Sequence, residues 1–133
     1  LATWLLGSLM LPNTIAPDQM AKSGRKPKIR GVDEKLVLTD GTRSVELHRV
    51  SDSHHTDSFL IVYLPKERLL IEADSFTPGP PNSPPPKEIN PNHATLVENL
   101  ARLNLQPQTI LPLHGRVVPV SELYTAVGQA PPK

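Results

Sequence analysis

The stretch from His54 to Asp74, HHTDSFLIVYLPKERLLIEAD, contains two apolar runs joined by a charged turn. A histidine pair precedes the first run, and Asp74 directly follows the second. Neither run shows the polar–apolar alternation of a half-exposed strand, which predicts two strands covered on both faces. A carboxylate at the end of a buried strand is costly unless a positive group meets it. An arginine, several backbone N–H groups or a metal ion could fill that role.

Length and composition set the bounds for the rest of the chain. With 133 residues and a formal net charge of +1, the sequence indicates one domain and gives no sign of a nucleic-acid or membrane partner. The absence of cysteine excludes disulfides and thiolate ligands, and it leaves the compartment undecided. The apolar stretch 1–11 has about half of the roughly 20 residues that a membrane-spanning helix needs, and it lacks the basic start of a signal peptide.

The pattern of apolar residues predicts a domain that combines strands and helices, in the broad α/β (α+β) class, over residues 32–133. A helical or interface segment over residues 1–31 precedes it. Alternation in the second strand places His48 on the polar face of that strand. A hairpin is expected at Asp40-Gly41. The predicted strands are residues 35–39, 42–50, 59–64, 69–73 and 109–113.

Helices and one long loop complete the prediction. The proline-rich stretch 77–91 is expected to be a stiff, extended loop. A helix follows it, with Asn90 as the N-cap and Pro91 at the first helical position. A last helix is expected over residues 121–127, capped by Ser121. A short helix over residues 18–22 should end near Gly24.

Three polar residues share one kind of position, next to the end of a predicted strand. His55 precedes a strand, Asp74 ends the next strand, and His114 follows a third. Two imidazoles and a carboxylate at one rim of a sheet would suit a zinc or iron ion. Their wide spacing leaves a second interpretation open, in which Asp74 caps a turn and the histidines bind backbone carbonyls.

The same residues resemble the C-terminal half of the metallo-β-lactamase superfamily. In that family a ligand histidine, followed by Thr-x-Gly or Thr-x-Ser, precedes a strand pair that ends in an aspartate. A later short strand ends in Pro-x-His-Gly. The corresponding pieces here are His55-Thr56-Asp57-Ser58, Glu72-Ala73-Asp74 and Pro112-Leu113-His114-Gly115. The resemblance covers residues 32–127 and implies half of an αββα sandwich, with a mostly antiparallel or mixed sheet and covering helices.

The resemblance implies a role for each matching residue. His55 would bind a first metal ion, Asp74 would bridge two ions in catalysis, and His114 would bind the second ion. Zinc is the implied metal, with one or two ions in the complete fold. His54 competes with His55 for the ligand position, and His55 is favoured because the rest of the motif follows it.

The sequence also departs from the family pattern. The signature His-x-His-x-Asp-His, which supplies most other ligands, occurs nowhere in the chain, and the first residue is not methionine. We therefore expect a metal-dependent hydrolase that lacks its N-terminal half and needs that half for full activity. By itself this chain should bind zinc weakly or not at all, and be inactive. The proline-rich loop would border the substrate.

A second class of function stays open, a non-catalytic module that self-associates and holds at most one weak metal site. The central strands are apolar on both faces, and the predicted helices cover only one of them. Expected partners are therefore further copies of the chain or a complementing N-terminal half, besides a small-molecule substrate. Neither nucleic acid nor a membrane is expected. Trp4, Leu5 and Leu9 would lie in the interface between copies.

Overall fold

The structure is a computed structural model that describes residues 15–132. The chain divides into two compact units, Leu1–Gly31 and Val32–Lys133. The described part of the first unit contains helix α1, Gln19–Ser23. Asp18 caps this helix by accepting a hydrogen bond from the Ala21 N–H at 2.8 Å, and Gly24, with φ at 65°, ends it. None of the helices in residues 15–132 is long and apolar enough to cross a membrane.

The apolar stretch 1–11 lies outside the described residues. The interface position expected for Trp4, Leu5 and Leu9 therefore stays a prediction.

The second unit is built on one six-stranded sheet whose strands lie side by side in chain order. β1 to β4 form an antiparallel meander, β5 pairs parallel with β4, and β6 returns antiparallel to β5. This confirms the mixed, mostly antiparallel sheet that the family resemblance implied. The strands are β1 Lys35–Thr39, β2 Ser44–Arg49, β3 Leu60–Leu64, β4 Leu69–Glu72, β5 Thr109–Pro112 and β6 Val118–Pro119.

One face of the sheet carries the hydrophobic core. Two helices, α2 Pro91–Arg102 and α3 Ser121–Ala126, contribute leucines to the same buried cluster as the central strands. Each such side chain stabilises the fold by about 1.5–3 kcal/mol when fully buried. The largest fully buried side chains are Ile61, Leu70, Leu96, Leu100, Ile110, Leu123 and Val118.

Helix α2 begins where the sequence predicted. The Asn90 side chain accepts a hydrogen bond from the Asn92 N–H at 2.9 Å, and Pro91 occupies the first helical position, where its missing N–H costs no hydrogen bond. Residues 77–90, between the sheet and this helix, form neither a helix nor a strand. The stiff loop predicted for this stretch therefore corresponds to the irregular segment that connects β4 to α2.

The opposite face of the sheet is apolar but only partly buried. Register places one apolar residue from each of five strands in a continuous row across this face. Leu111 on β5 is 37% exposed and Leu60 on β3 is 36% exposed. Burial on both faces was expected, and for this second face the expectation is wrong. The row consists of Leu36, Leu47, Val62, Ile71 and Leu111.

Three further details differ from the sequence prediction. His48 lies on the core face and is buried, not exposed, because the neighbouring Glu46 carboxylate contacts its Nε2 at 2.8 Å and satisfies the imidazole there. Ser121 is the first residue of α3, while Val120 occupies the cap position without a side-chain hydrogen bond. β6 was not predicted because two residues are too few to show a strand pattern.

Candidate functional site

The parallel pairing of β4 with β5 determines which residues meet at the edge of the sheet. Glu72 and Pro112 are paired at the last position of the register, so both strands leave the sheet at the same edge. The Leu113 N–H donates to the Glu72 carbonyl at 2.9 Å and extends this pairing by one residue. Asp74 lies two residues after Glu72, and His114 lies two residues after Pro112. The fold therefore brings them close together.

A tight turn after β4 presents the Asp74 side chain. Asp74 has a φ of 68°, in the left-handed region that aspartate tolerates better than most residues. The Glu72 carboxylate stabilises this turn because its Oε2 accepts hydrogen bonds from the Ser75 N–H at 2.8 Å and the Phe76 N–H at 3.2 Å. Glu72 thus fixes the backbone on both sides of Asp74.

Glu72 is itself buried, with 4% of its surface exposed. Burial raises the pKa of the Glu72 carboxyl, and the nearby Asp74 charge raises it further, although the two backbone N–H groups act in the opposite direction. Its second oxygen, Oε1, is buried without a hydrogen-bond partner among the described residues. The turn therefore depends on a carboxyl group that the protein interior disfavours in its ionised form.

His114 reaches Asp74 from the turn after β5. Its Nε2 lies 3.2 Å from Asp74 Oδ1. The next residue, Gly115, has a φ of 100°, and a Cβ there would lie 3.2 Å from Pro78 Cδ. A side chain at this position would be strained in conformation and crowded by the proline-rich loop, so the close turn requires glycine.

His55 reaches the same carboxylate from the connection between β2 and β3. Its Nε2 lies 3.7 Å from Asp74 Oδ2, and its ring stands edge-on to Phe59 with the ring centroids 5.7 Å apart. The backbone N–H of His55 donates to Ser53 Oγ at 3.2 Å. In the described structure it is His55, not the exposed His54, that pairs with Asp74.

The connection that carries His55 is attached to helix α2 through Asn99. The Asn99 side chain accepts from the Ser51 N–H at 2.8 Å and donates to the Ser51 carbonyl at 2.9 Å. Its amide also donates to the Thr95 carbonyl at 2.9 Å. Asn99 is buried, so these bonds are shielded from water. The residue thereby fixes the start of the segment that leads to His55.

The structure thus brings all three predicted residues together, with a different imidazole facing each oxygen of Asp74. The side chains of Asp74, His55 and His114 are 36%, 48% and 62% exposed, so the site is open to solvent. Within residues 15–132, no group of three or more His, Cys, Asp or Glu side chains could hold a metal ion. The arrangement is two pairs that share a carboxylate, and no single ion is enclosed.

An ion pair connects the site to α3. The Arg116 guanidinium donates to both oxygens of Glu122, at 2.9 Å and 2.6 Å, and to the Gly79 carbonyl at 3.3 Å. Arg116 follows His114 by two residues, so it links the turn after β5 both to the proline-rich loop and to α3. The Glu122 carboxylate raises the pKa of Arg116, which keeps the guanidinium charged.

Comparison with known proteins identifies the fold. No protein-family profile and no curated protein matches the sequence. A solved metallo-β-lactamase from Pontibacter korlensis aligns with a TM-score of 0.55 and 14% identity, over 82% of this chain and 51% of its own length. The chain has part of the metallo-β-lactamase fold. It spans about half the length of that solved structure.

Other proteins with the metallo-β-lactamase fold also match. Rubredoxin oxygen:oxidoreductase from Desulfovibrio gigas aligns with a TM-score of 0.55 and 18% identity, over 82% of this chain and 33% of its own. The flavodiiron protein from Giardia intestinalis aligns with a TM-score of 0.50 and 20% identity, over 73% of this chain and 28% of its own. Because β-lactamases and an oxidoreductase share this fold, the fold alone does not select the reaction.

Sequence reasoning missed two residues that position the site in this part of the metallo-β-lactamase fold. Glu72 holds the turn around Asp74, and Arg116 holds the turn after His114. An acidic residue inside an otherwise apolar run was the only signal for Glu72. Nothing in the sequence indicated which carboxylate Arg116 would bind.

Proposed function

We propose that this chain is the C-terminal portion of a zinc-dependent hydrolase of the metallo-β-lactamase superfamily, and that it needs a complementing N-terminal half for full activity. The supporting observation is the Asp74 carboxylate, whose Oδ1 faces His114 and whose Oδ2 faces His55. A carboxylate in this position can bridge two ions, with one histidine bound to each. Asp74, His55 and His114 are therefore the proposed metal ligands.

The imidazole nitrogens and carboxylate oxygens are donor atoms that zinc binds, although within residues 15–132 too few of them come together to hold an ion. Two ligand atoms that bind one zinc ion at about 2.1 Å in tetrahedral geometry lie roughly 3.4 Å apart. The two nitrogen–oxygen distances at Asp74 are 3.2 Å and 3.7 Å, on either side of that value. Each ion would nevertheless receive only two of the three or four protein ligands that zinc sites use. The isolated chain should therefore bind no more than one zinc ion, and bind it weakly.

A bound zinc ion would lower the pKa of a coordinated water to about 7 and polarise a carbonyl or phosphoryl oxygen. The residues of this chain set the positions of the ligands. Glu72 holds the turn that presents Asp74. Arg116 holds the turn after His114 through its bonds to Glu122 and the Gly79 carbonyl. Displacing a reacting group by about 1 Å can lower the rate a hundredfold. We therefore propose that the isolated chain does not hydrolyse β-lactams, esters or phosphodiesters at a substantial rate.

Zinc titration by isothermal calorimetry tests the proposed ligands. We expect His55→Ala, Asp74→Ala and His114→Ala each to weaken zinc binding by at least about tenfold, because each removes a direct ligand. His54→Ala is the matched control, since it deletes the neighbouring exposed imidazole and should leave the affinity unchanged.

Two results would contradict the proposal. One is two tight zinc sites in the isolated chain, which would mean that the ligand set is already complete. The other is tight binding that none of the three ligand variants weakens. Hydrolysis is measured separately on the same preparations, and robust zinc-dependent turnover that Asp74→Ala abolishes would show that no complementing half is needed.

A further inference from the structure

A cleft of about 490 Å³ lies in the second unit. This volume is typical of small-molecule sites. Its walls come from three places, the turn after Asp74, the proline-rich loop and the two helices of the core face. Phe76, two residues beyond Asp74, forms one wall, with His93 of α2 packed edge-on against it at 5.0 Å between ring centroids. Thr125 and Ala126 of α3 form another wall.

The loop that closes the cleft is held in place before any ligand binds. Its prolines have fixed φ angles, which limits the conformations available to the loop. Ser83 donates to the Pro80 carbonyl from both its N–H, at 3.2 Å, and its hydroxyl, at 2.8 Å. Arg116 binds the Gly79 carbonyl. A ligand would therefore lose little binding free energy to ordering the loop.

The charges on the walls are neutralised. The two ionisable residues in the lining are His93 and Glu122. Arg116 binds both carboxylate oxygens of Glu122, so that negative charge is paired. Burial lowers the pKa of His93, which favours the uncharged imidazole. A charged ligand would lose hydration on entering the cleft without meeting an unpaired opposite charge.

Neutral polar groups remain on the walls beside the apolar ring surfaces. The Asn82 carboxamide is one of them. The Thr125 hydroxyl donates to the Ser121 carbonyl at 2.9 Å, which leaves its oxygen available as an acceptor. We propose that this cleft binds an uncharged ligand with a flat apolar body and an amide-like polar group. If the proposed function holds, the cleft binds a part of the substrate that lies away from the reacting bond.

Binding is tested with three probes of nearly the same shape, phenylacetamide, phenylacetate and 2-phenylethylamine, which are neutral, anionic and cationic at neutral pH. The chain is labelled with ¹⁵N and titrated in excess EDTA, so that no metal contributes. For a ligand of this size we expect a dissociation constant on the order of millimolar for phenylacetamide. The two charged probes should bind at least about tenfold more weakly. The largest shifts should fall on the amides of Phe76, Ser83 and Thr125.

Two variants fill the cleft, and one serves as control. Ala126→Trp and Thr125→Tyr both add bulk to the α3 wall and should weaken phenylacetamide binding by at least about tenfold. Ala101→Trp adds the same indole to an exposed position of α2 and should leave the affinity unchanged. Two blocking variants are used so that misfolding of one, visible as collapsed spectral dispersion, leaves the other to decide.

The design separates this inference from the proposed function. Asp74→Ala should weaken zinc binding by at least about tenfold yet leave the phenylacetamide affinity within about twofold, because the cleft does not include Asp74. The inference is overturned if phenylacetamide causes no localised shifts, if phenylacetate binds as tightly, or if both blocking variants bind like the unchanged chain. None of these results bears on whether Asp74, His55 and His114 bind zinc.

Discussion

Replacing Glu72 by alanine removes the acceptor that holds the turn around Asp74. The Glu72 carboxylate accepts from the backbone N–H groups of Ser75 and Phe76, and both of these residues are buried. A buried donor left without an acceptor costs about 1–3 kcal/mol, so two donors cost about 2–6 kcal/mol of unfolding free energy. Because a domain of this size is stable by only about 5–15 kcal/mol, Glu72→Ala should be strongly destabilising.

Glu72→Gln separates the hydrogen bonds from the charge. Its amide oxygen can still accept from both N–H groups, so we expect a loss of less than about 1 kcal/mol. Glu72→Gln should also remove the pH dependence that the Glu72 carboxyl gives to the unfolding free energy. Burial raises the folded-state pKa of Glu72 above its ordinary value of 4.5. The contribution of Glu72 to stability is therefore fully present below about pH 4.5 and is lost as the pH rises through the folded-state pKa. Relative to the unchanged chain, Glu72→Gln should become more stable as the pH rises through that window.

Urea unfolding followed by far-UV circular dichroism, at about pH 3.5 and about pH 7, measures both effects. Glu98→Ala on the exposed side of α2 is the control and should change the unfolding free energy by less than about 0.5 kcal/mol. The reasoning fails if Glu72→Ala is no more destabilising than Glu98→Ala. It also fails if Glu72→Gln destabilises as much as Glu72→Ala, since the hydrogen-bond acceptor would then not be what matters.

Two further predictions concern a buried hydrogen-bonded residue and self-association. Asn99→Ala should lower the unfolding free energy by about 2 kcal/mol or more, because both the N–H and the carbonyl of Ser51 lose their side-chain partner. Urea unfolding measures this change, and a value below about 0.5 kcal/mol would contradict the prediction. We also expect the chain to sediment as a dimer or larger assembly at micromolar concentration, since partly exposed apolar sheet faces favour association. Leu111→Glu should then weaken the assembly, whereas Val37→Glu, on the other face, should not; a cooperatively folding monomer would refute self-association.

The strands were predictable because burial dictates their composition. The runs at β3 and β4 are almost entirely apolar, on the core face and on the partly exposed face alike, so both strands stood out in the sequence. The N-terminus of α2 was predictable because Asn90 and Pro91 act locally, within one turn of the helix. His48 was assigned to the wrong face because alternation in β2 does not reveal that Glu46 supplies a partner for a buried imidazole.

The candidate site was predictable only in part. Periodicity indicated that His55, Asp74 and His114 lie near strand ends, and the resemblance to a known family grouped them. The parallel pairing that brings Asp74 to His114 is a long-range contact and has no local signature. The same is true of Arg116, whose partner Glu122 lies on another element. Local sequence thus indicates where polar residues leave the sheet, but not which of them meet.

The one parallel pair in the sheet also determines the order in which the molecule can fold. β1 to β4 are joined by connections of ten residues or fewer, so each antiparallel pair closes a loop much smaller than the one between β4 and β5. Glu72 and Pro112 are paired across forty residues, from position 72 to position 112. Closing this larger loop costs more chain entropy, so β5 pairs later than the strands of the meander do. Until then, one edge of β4 has no hydrogen-bonded neighbour. During synthesis the four-stranded meander therefore emerges first with an open edge that can pair with other chains. Asp74 and His114 meet only when β5 pairs with β4, so their contact reports that pairing.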